Sequence, residues 1–222
     1  KLSLKLNVPM NYFFDESVSK ESSNLENFKI LSKKLLIGRE YESLKYLYEL
    51  EVEKKKILPL SDQLYLIWIE SIILFHCDDR KIEAINKLES VINRMEEKDK
   101  EYFKYFNSLL NFYSLMGNEE ISEKMYLTII SKMSNSKITD IECLELLIKV
   151  RYNYCRCLWL ENKIDLAITE IIETIDICNS NNHCYLLPDL YCLMGNVTEN
   201  FLEKEEVRKY FSYAQFLYNL LG

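Results

Sequence analysis

Residues 150–178 read VRYNYCRCLWLENKIDLAITEIIETIDIC, and this stretch decides the fold of the chain. An apolar and aromatic helical pattern ends at the polar turn 160–163, and a second helical pattern begins directly after it. The second pattern places the small residue Ala167 where two helices approach closely, followed by an apolar stripe at Ile168, Ile171, Ile172 and Ile175. Two such helices joined by a short turn are typical of a tetratricopeptide hairpin.

The same pattern, two helices joined by a short polar turn, recurs along the chain. Polar turns marked by Arg39, Asp79, Asn118, Asn162 and Glu203 are spaced 40, 39, 44 and 41 residues apart. A lone hairpin cannot bury both of its apolar faces, so neighbouring hairpins must stack, and stacking with a small constant rotation makes a superhelix with a concave face. The sequence therefore predicts an all-α fold, a right-handed superhelix of about five tetratricopeptide-like helical hairpins.

The composition agrees with a helical fold and excludes some functions. Of 222 residues, 48% are hydrophobic and only four are Gly and three Pro, so residues that helices tolerate outnumber those that tight β-turns need. A formal net charge of −7 argues against this chain holding DNA or RNA by itself, because phosphate binding depends on Lys and Arg. The longest apolar run, residues 64–75, is interrupted by Glu70 and too short for a membrane span. We expect a cytoplasmic protein with no membrane contact.

Signals for catalysis or metal binding are weak. The seven cysteines form no CxxC pair, and Cys155 and Cys157 point to nearly opposite sides of a helix, so they cannot share a metal. The chain has only two histidines and lacks a phosphate-binding glycine loop, a nucleophile elbow and a paired-carboxylate arrangement. We therefore predict no metal, no cofactor and no enzymatic activity.

Polar residues on the first helices of two hairpins are the candidates for binding. Asn107 and Asn111 lie one turn apart on a face shared with Phe103 and Leu110, and Asn153 lies on the first helix of the next hairpin. A carboxamide offers a donor and an acceptor, so it can pair with both groups of a peptide unit. The same side chains could instead satisfy helix ends or each other between stacked hairpins. The residues alone leave both interpretations open.

The last hairpin carries an unusual surface. Its second helix is apolar on more than one side and lacks the polar outer face that a terminal repeat needs, through Tyr210, Phe211, Tyr213, Phe216, Leu217, Tyr218, Leu220 and Leu221. Either a partner subunit or a further C-terminal helix would cover it. The partner subunit predicts a homodimer.

Two motifs carry a resemblance to a known family. LKLNVPMNYFF at residues 4–14 is similar to the aromatic exit from a helix-turn-helix domain, and KVRYNYCRCLWLENKIDLAI at residues 149–168 follows a family helix of the KVRYN type. On these motifs the whole chain resembles the PlcR-like group of the RNPP family, bacterial peptide-pheromone-responsive transcriptional regulators. The resemblance implies that residues 1–14 are the C-terminal remnant of a helix-turn-helix DNA-binding domain with its linker. It implies that residues 15–222 form a tetratricopeptide-like peptide-binding and dimerisation domain.

The resemblance also implies partners and site residues. A short signalling peptide would bind the concave groove of a homodimer, and DNA would be contacted only through the missing N-terminal domain. The implied peptide-binding positions fall on Asn107, Asn111, Asn153, Arg39, Asp189 and Phe14. Arg39 would meet a ligand carboxylate, and Phe14 would face the peptide. The family has a glutamine at the position of Asp189, which predicts a different ligand group there.

Three functions remain open from the sequence. The first is the ligand-sensing domain of a quorum-sensing regulator, and the second is a tetratricopeptide adaptor that docks a protein partner. The third is a relative that acts on a phosphorelay protein. A helix-turn-helix sequence upstream of Lys1 would leave only the first.

Overall fold

The computed structural model describes residues 25–54, 57–96, 100–135 and 141–221. Within these ranges every regular element is a helix: α1 Glu26–Ile37, α2 Tyr41–Val52, α3 Leu60–His76, α4 Lys81–Ile92, α5 Lys100–Leu115, α6 Glu119–Asn135, α7 Ile141–Leu160, α8 Ile164–Ser180, α9 Leu187–Thr198 and α10 Lys204–Leu221. The prediction of an all-α fold of about five helical hairpins is confirmed. The predicted helix-turn-helix remnant, residues 1–14, lies outside the described residues.

The chain divides into two compact units, residues 1–95 and residues 96–222. The first contains α1 to α4, and the second contains α5 to α10. The single domain over residues 15–222 stays a prediction.

Four hairpin turns share one backbone feature. Each contains one residue with left-handed φ, namely Arg39 at 53°, Asp79 at 52°, Gly117 at 74° and Asn162 at 59°. The next amide closes the turn, as when Lys163 N donates to Leu158 O at 2.8 Å, which satisfies a carbonyl that the helix end leaves unpaired. In the third turn the left-handed residue is Gly117, which adopts this conformation without steric cost and directly precedes Asn118.

The core of the first unit is centred on α3, which contacts both α2 and α4. Helices packed on two sides must be apolar on two sides, and Trp68, Ile69 and Ile72 are all at most 5% exposed. A part-buried ion pair joins α1 to α3, since Lys29 Nζ lies 2.7 Å from Asp62 Oδ1.

The core of the second unit is centred on α7, which contacts α5, α6 and α8. Ala167 on α8 is fully buried, as the helical pattern predicts for a close approach. The predicted stripe on α8 is only partly correct, because Ile171 is fully buried whereas Ile172 is 49% exposed. Ile172 lines an apolar cavity of about 290 Å³ between α8, α9 and the turn before α10, instead of entering the core.

Candidate functional site

Four of the six predicted site residues lie on the first helices of the last three hairpins. Asn107 and Asn111 are on α5, Asn153 is on α7 and Asp189 is on α9. Helix α7 contacts both α5 and α9. We call the surface formed by these three helices around the four residues the first-helix face.

Asn107 and Asn153 bind each other across α5 and α7. Their side chains are 3% and 7% exposed, and Asn153 Nδ2 donates to Asn107 Oδ1 at 3.1 Å. Mutual pairing is one of the two interpretations that the sequence leaves open. This hydrogen bond uses the side-chain donor of Asn153 and the side-chain acceptor of Asn107. The donor Asn107 Nδ2 and the acceptor Asn153 Oδ1 take no part in it.

These two remaining atoms are not sealed in the core. Within the described ranges, the fully buried side-chain nitrogens and oxygens that lack a partner are Arg151 Nε and His183 Nε2. Asn107 Nδ2 and Asn153 Oδ1 form no hydrogen bond to the described residues and are not among those buried atoms, so both reach solvent. The pair therefore presents one donor and one acceptor to a ligand, which is the complement of a single peptide unit.

The two neighbouring site residues are half-buried. Asn111 lies one turn beyond Asn107 on α5, and Asp189 lies in the first turn of α9. The Asp189 carboxylate lies near the hydroxyl of Tyr218 on α10, and partial burial first, then the negative charge of this carboxylate, raise the pKa of Tyr218 well above its usual range. Leu186, which precedes α9, has a left-handed φ of 55°, an uncommon conformation for a bulky residue.

The remaining two predicted residues do not belong to α5, α7 or α9. Phe14 is outside the described residues. Arg39 belongs to the first unit, where its exposed side chain follows α1. Burial first, and then the charge of Arg39, lower the pKa of His76 to about 4, and the His76 ring stacks on Tyr41 with centroids 4.1 Å apart. His76 is thus a surface residue whose ring packs face to face on Tyr41.

A polar cluster holds the opposite side of α7. The Glu170 carboxylate on α8 accepts from Tyr126 on α6 at 2.8 Å and from Arg151 on α7 at 3.2 Å. Arg151 also donates to Glu173 at 3.0 Å. The Tyr126 ring stacks on Tyr154 with centroids 3.7 Å apart, so one carboxylate joins three helices through well-packed partners. From the sequence, Arg151 stands out only as part of the KVRYN-type motif, because its partners come from distant segments.

Sequence reasoning missed a basic residue of the first-helix face. Arg156 lies three residues after Asn153, and residues three or four apart share one side of a helix. Its side chain is half-buried. The signal was available in the spacing of Tyr152, Asn153 and Arg156, which continues the polar face of α7 by one turn.

Other kinds of site are not evident in the part of the chain that the structure describes. These residues contain no group of three or more His, Cys, Asp or Glu that could hold a metal ion. None of the seven cysteines, which all lie in described ranges, forms a disulfide. Among the described helices, none combines the length and the hydropathy needed to cross a bilayer.

Comparisons with known proteins agree with this architecture. The chain shares its fold with Bacillus thuringiensis PlcR in complex with the peptide PapR7 and DNA, with a TM-score of 0.78 and 18% identity over 99% of this chain and 78% of PlcR. PlcR in its apo form matches with a TM-score of 0.74 and 18% identity over 96% of this chain and 79% of that chain. A Podospora anserina putative kinesin light chain with TPR-like repeats matches with a TM-score of 0.57 and 9% identity over 88% of this chain and 94% of that chain.

Sequence comparisons identify the family. A search of curated proteins finds no match. The RNPP family C-terminal domain matches residues 26–222. The RNPP proteins are non-enzymatic transcription regulators, so the prediction that this chain is not an enzyme is confirmed. This chain therefore belongs to the RNPP family and contains its C-terminal domain.

Proposed function

We propose that this chain is the ligand-sensing domain of a quorum-sensing transcriptional regulator, which binds a short signalling peptide on the first-helix face. The observation that carries the proposal is the Asn107–Asn153 hydrogen bond, because it leaves one donor, Asn107 Nδ2, and one acceptor, Asn153 Oδ1, without a partner among the described residues. A peptide unit has one C=O and one N–H, so the pair can hold an extended peptide without reading its side chains. Because donor and acceptor lie on different helices, the pair also favours one direction of the peptide chain.

DNA binding belongs, in this proposal, to an N-terminal helix-turn-helix domain of the regulator. The net charge of −7 disfavours phosphate contacts by the chain itself. The family membership and the fold shared with PlcR, which has been crystallised with both PapR7 and DNA, support such a division of labour. Peptide binding on α5, α7 and α9 would then be coupled to DNA binding.

The proposal includes a homodimer. Helix α10 buries only Val207 and Ala214, whereas its apolar side chains are largely exposed: Tyr213 at 54%, Phe216 at 65%, Tyr218 at 47%, Leu220 at 66% and Leu221 at 54%. A cluster of this kind is typical of a surface that another chain covers. A second copy would cover it with the same helix, as two-fold dimers do.

Two isosteric variants separate peptide binding from folding. Asn107→Asp keeps the acceptor that Asn153 Nδ2 needs but replaces the outward donor with a carboxylate oxygen. Asn153→Asp keeps the outward acceptor but places two carbonyl-type oxygens against each other. We expect Asn107→Asp to retain its melting temperature and lose peptide affinity at least tenfold, and Asn153→Asp to melt at a lower temperature.

The probe is a linear peptide selected from a synthetic random library on the parent chain, with affinity measured by calorimetry. Circular dichroism melting reports folding, and Ser108→Ala on α5 is the control, since its hydroxyl donates to the Lys104 carbonyl of its own helix. Unchanged affinity in Asn107→Asp would show that the asparagines are structural and that the peptide binds elsewhere.

A further inference from the structure

Two arginines of α7 differ in their surroundings. The Arg151 side chain is 15% exposed and pairs with two carboxylates, Glu170 and Glu173. Arg156 is also half-buried, but within the described residues no carboxylate lies within ion-pair distance of its guanidinium. The helix positions three and four residues away offer none either, since they hold Tyr152, Asn153, Trp159 and Leu160.

A half-buried guanidinium without an ion-pair partner is stabilised when an anion binds it. Partial burial removes water from the charge, and charged groups in such places are normally paired. Arginine has five donors in a planar fork that matches the two oxygens of a carboxylate. Arg156 therefore has donors available for an acidic ligand group, whereas Nη1 of Arg151 already donates to two carboxylates.

The position of Arg156 links it to the asparagine pair. Arg156 and Asn153 are three residues apart on α7, so their Cβ atoms lie about 5–6 Å from each other on one face. An extended peptide advances about 3.3 Å per residue. A peptide unit held by Asn107 and Asn153 would thus bring groups one or two residues further along within reach of Arg156.

We propose that Arg156 is a specificity-determining residue of the first-helix face, which binds a carboxylate of the signalling peptide. The proposal rests on the proposed function and adds the chemical class of the ligand, an acidic peptide. The carboxylate is either an Asp or Glu side chain or the free C-terminus. The net charge of −7 disfavours acidic peptides in general, so a preference for them must come from a local cation.

A different role for Arg156 would be to cover apolar surface with its aliphatic stem. Arg156→Met keeps an unbranched apolar side chain and removes the charge, so it separates the two roles. Arg208→Met is the matched control, because it makes the same change in net charge at an exposed position of α10.

The test is affinity selection on the 222-residue chain from two synthetic libraries of random linear peptides, one with free and one with amidated C-termini. We expect the parent and Arg208→Met to enrich Asp or Glu at one position, or to select only from the free-carboxylate library. Arg156→Met should lose this preference and bind the selected acidic peptide at least tenfold more weakly, with a smaller dependence of affinity on salt.

An equal acidic preference in Arg156→Met, or selected parent binders without any such preference, would overturn the role of Arg156 and leave the peptide-binding function standing. Failure of all three proteins to select any peptide would contradict the proposed function itself, and this inference with it.

Discussion

The fourth and fifth hairpins follow the same helical pattern and lie next to each other in the second unit, yet they are held in different ways. Helix α7 of the fourth hairpin is fixed on one side by Asn107 and on the other by Glu170. The second helix of the fifth hairpin, α10, buries two side chains and exposes five large apolar ones. The helical pattern alone is therefore enough to form a hairpin. The helices packed against the hairpin determine whether it becomes part of the core or remains an exposed surface.

The largest effect should come from breaking the cluster that holds the fourth hairpin. Glu170→Ala leaves the Tyr126 hydroxyl buried without its acceptor and removes one of two partners of Arg151. Loss of a buried charge partner costs about 3–5 kcal/mol. Because the Arg151 and Glu170 side chains are 15% and 21% exposed and Glu173 remains, we expect a decrease of about 2–3 kcal/mol in the free energy of unfolding.

Urea unfolding of Glu170→Ala and of a matched control, Glu173→Ala, measures this cost. The Glu173 side chain is 54% exposed, so its removal should cost at most about 1 kcal/mol. Equal losses in the two variants would contradict the view that Glu170 joins the three helices.

The sequence predicts the hairpins well because their signals are local. Helical periodicity, polar turns and the small residue Ala167 all act within one hairpin, and the structure confirms the helices they predict. The Asn107–Asn153 bond joins residues 46 positions apart, and Tyr126 and Glu170 are 44 apart. Periodicity places such side chains on a face but cannot give the distance between them, so the sequence left the role of the asparagines open.

The set of site residues shows the same limit. The resemblance to the family implies one peptide-binding site that contains both Arg39 and Asp189. The structure assigns these residues to different compact units. The sequence did not predict Arg156 as a site residue, because an isolated arginine on a helix is usually solvated. In the described structure its side chain is half-buried and no carboxylate lies within ion-pair distance of it, which makes it a candidate.

A smaller effect should come from the turns. Asn162 in the fourth hairpin has a φ of 59°, whereas none of the described residues in the fifth turn has a positive φ. A β-branched residue is strained there, so Asn162→Val should lower the free energy of unfolding by about 1–2 kcal/mol. Glu203→Val in the fifth turn should stay within about 0.5 kcal/mol. Thermal and urea unfolding of both variants measures the difference, and a reversed order would refute the assigned turn geometry.

The smallest effect on folding should come from the exposed face of the fifth hairpin. The Phe216 side chain is 65% exposed, so Phe216→Ser should change the free energy of unfolding of the monomer by less than about 0.5 kcal/mol. It should still shift the sedimentation coefficient from dimer to monomer at micromolar concentration. A monomeric parent chain, or a variant that remains dimeric, would contradict the proposed use of α10 as the dimer surface.

The side-chain amide of Asn107 offers the most direct test of the central claim, that the asparagine pair holds a peptide backbone. In nitrogen-15 NMR of the 222-residue chain, the signal is assigned by its disappearance in Asn107→Asp. On titration with a selected peptide, we expect this signal to shift and its hydrogen exchange to slow, while the Asn153 amide keeps its bond to Asn107. If saturating peptide shifts other signals but leaves the signal of the Asn107 side-chain amide unchanged, the asparagine pair does not bind the peptide backbone.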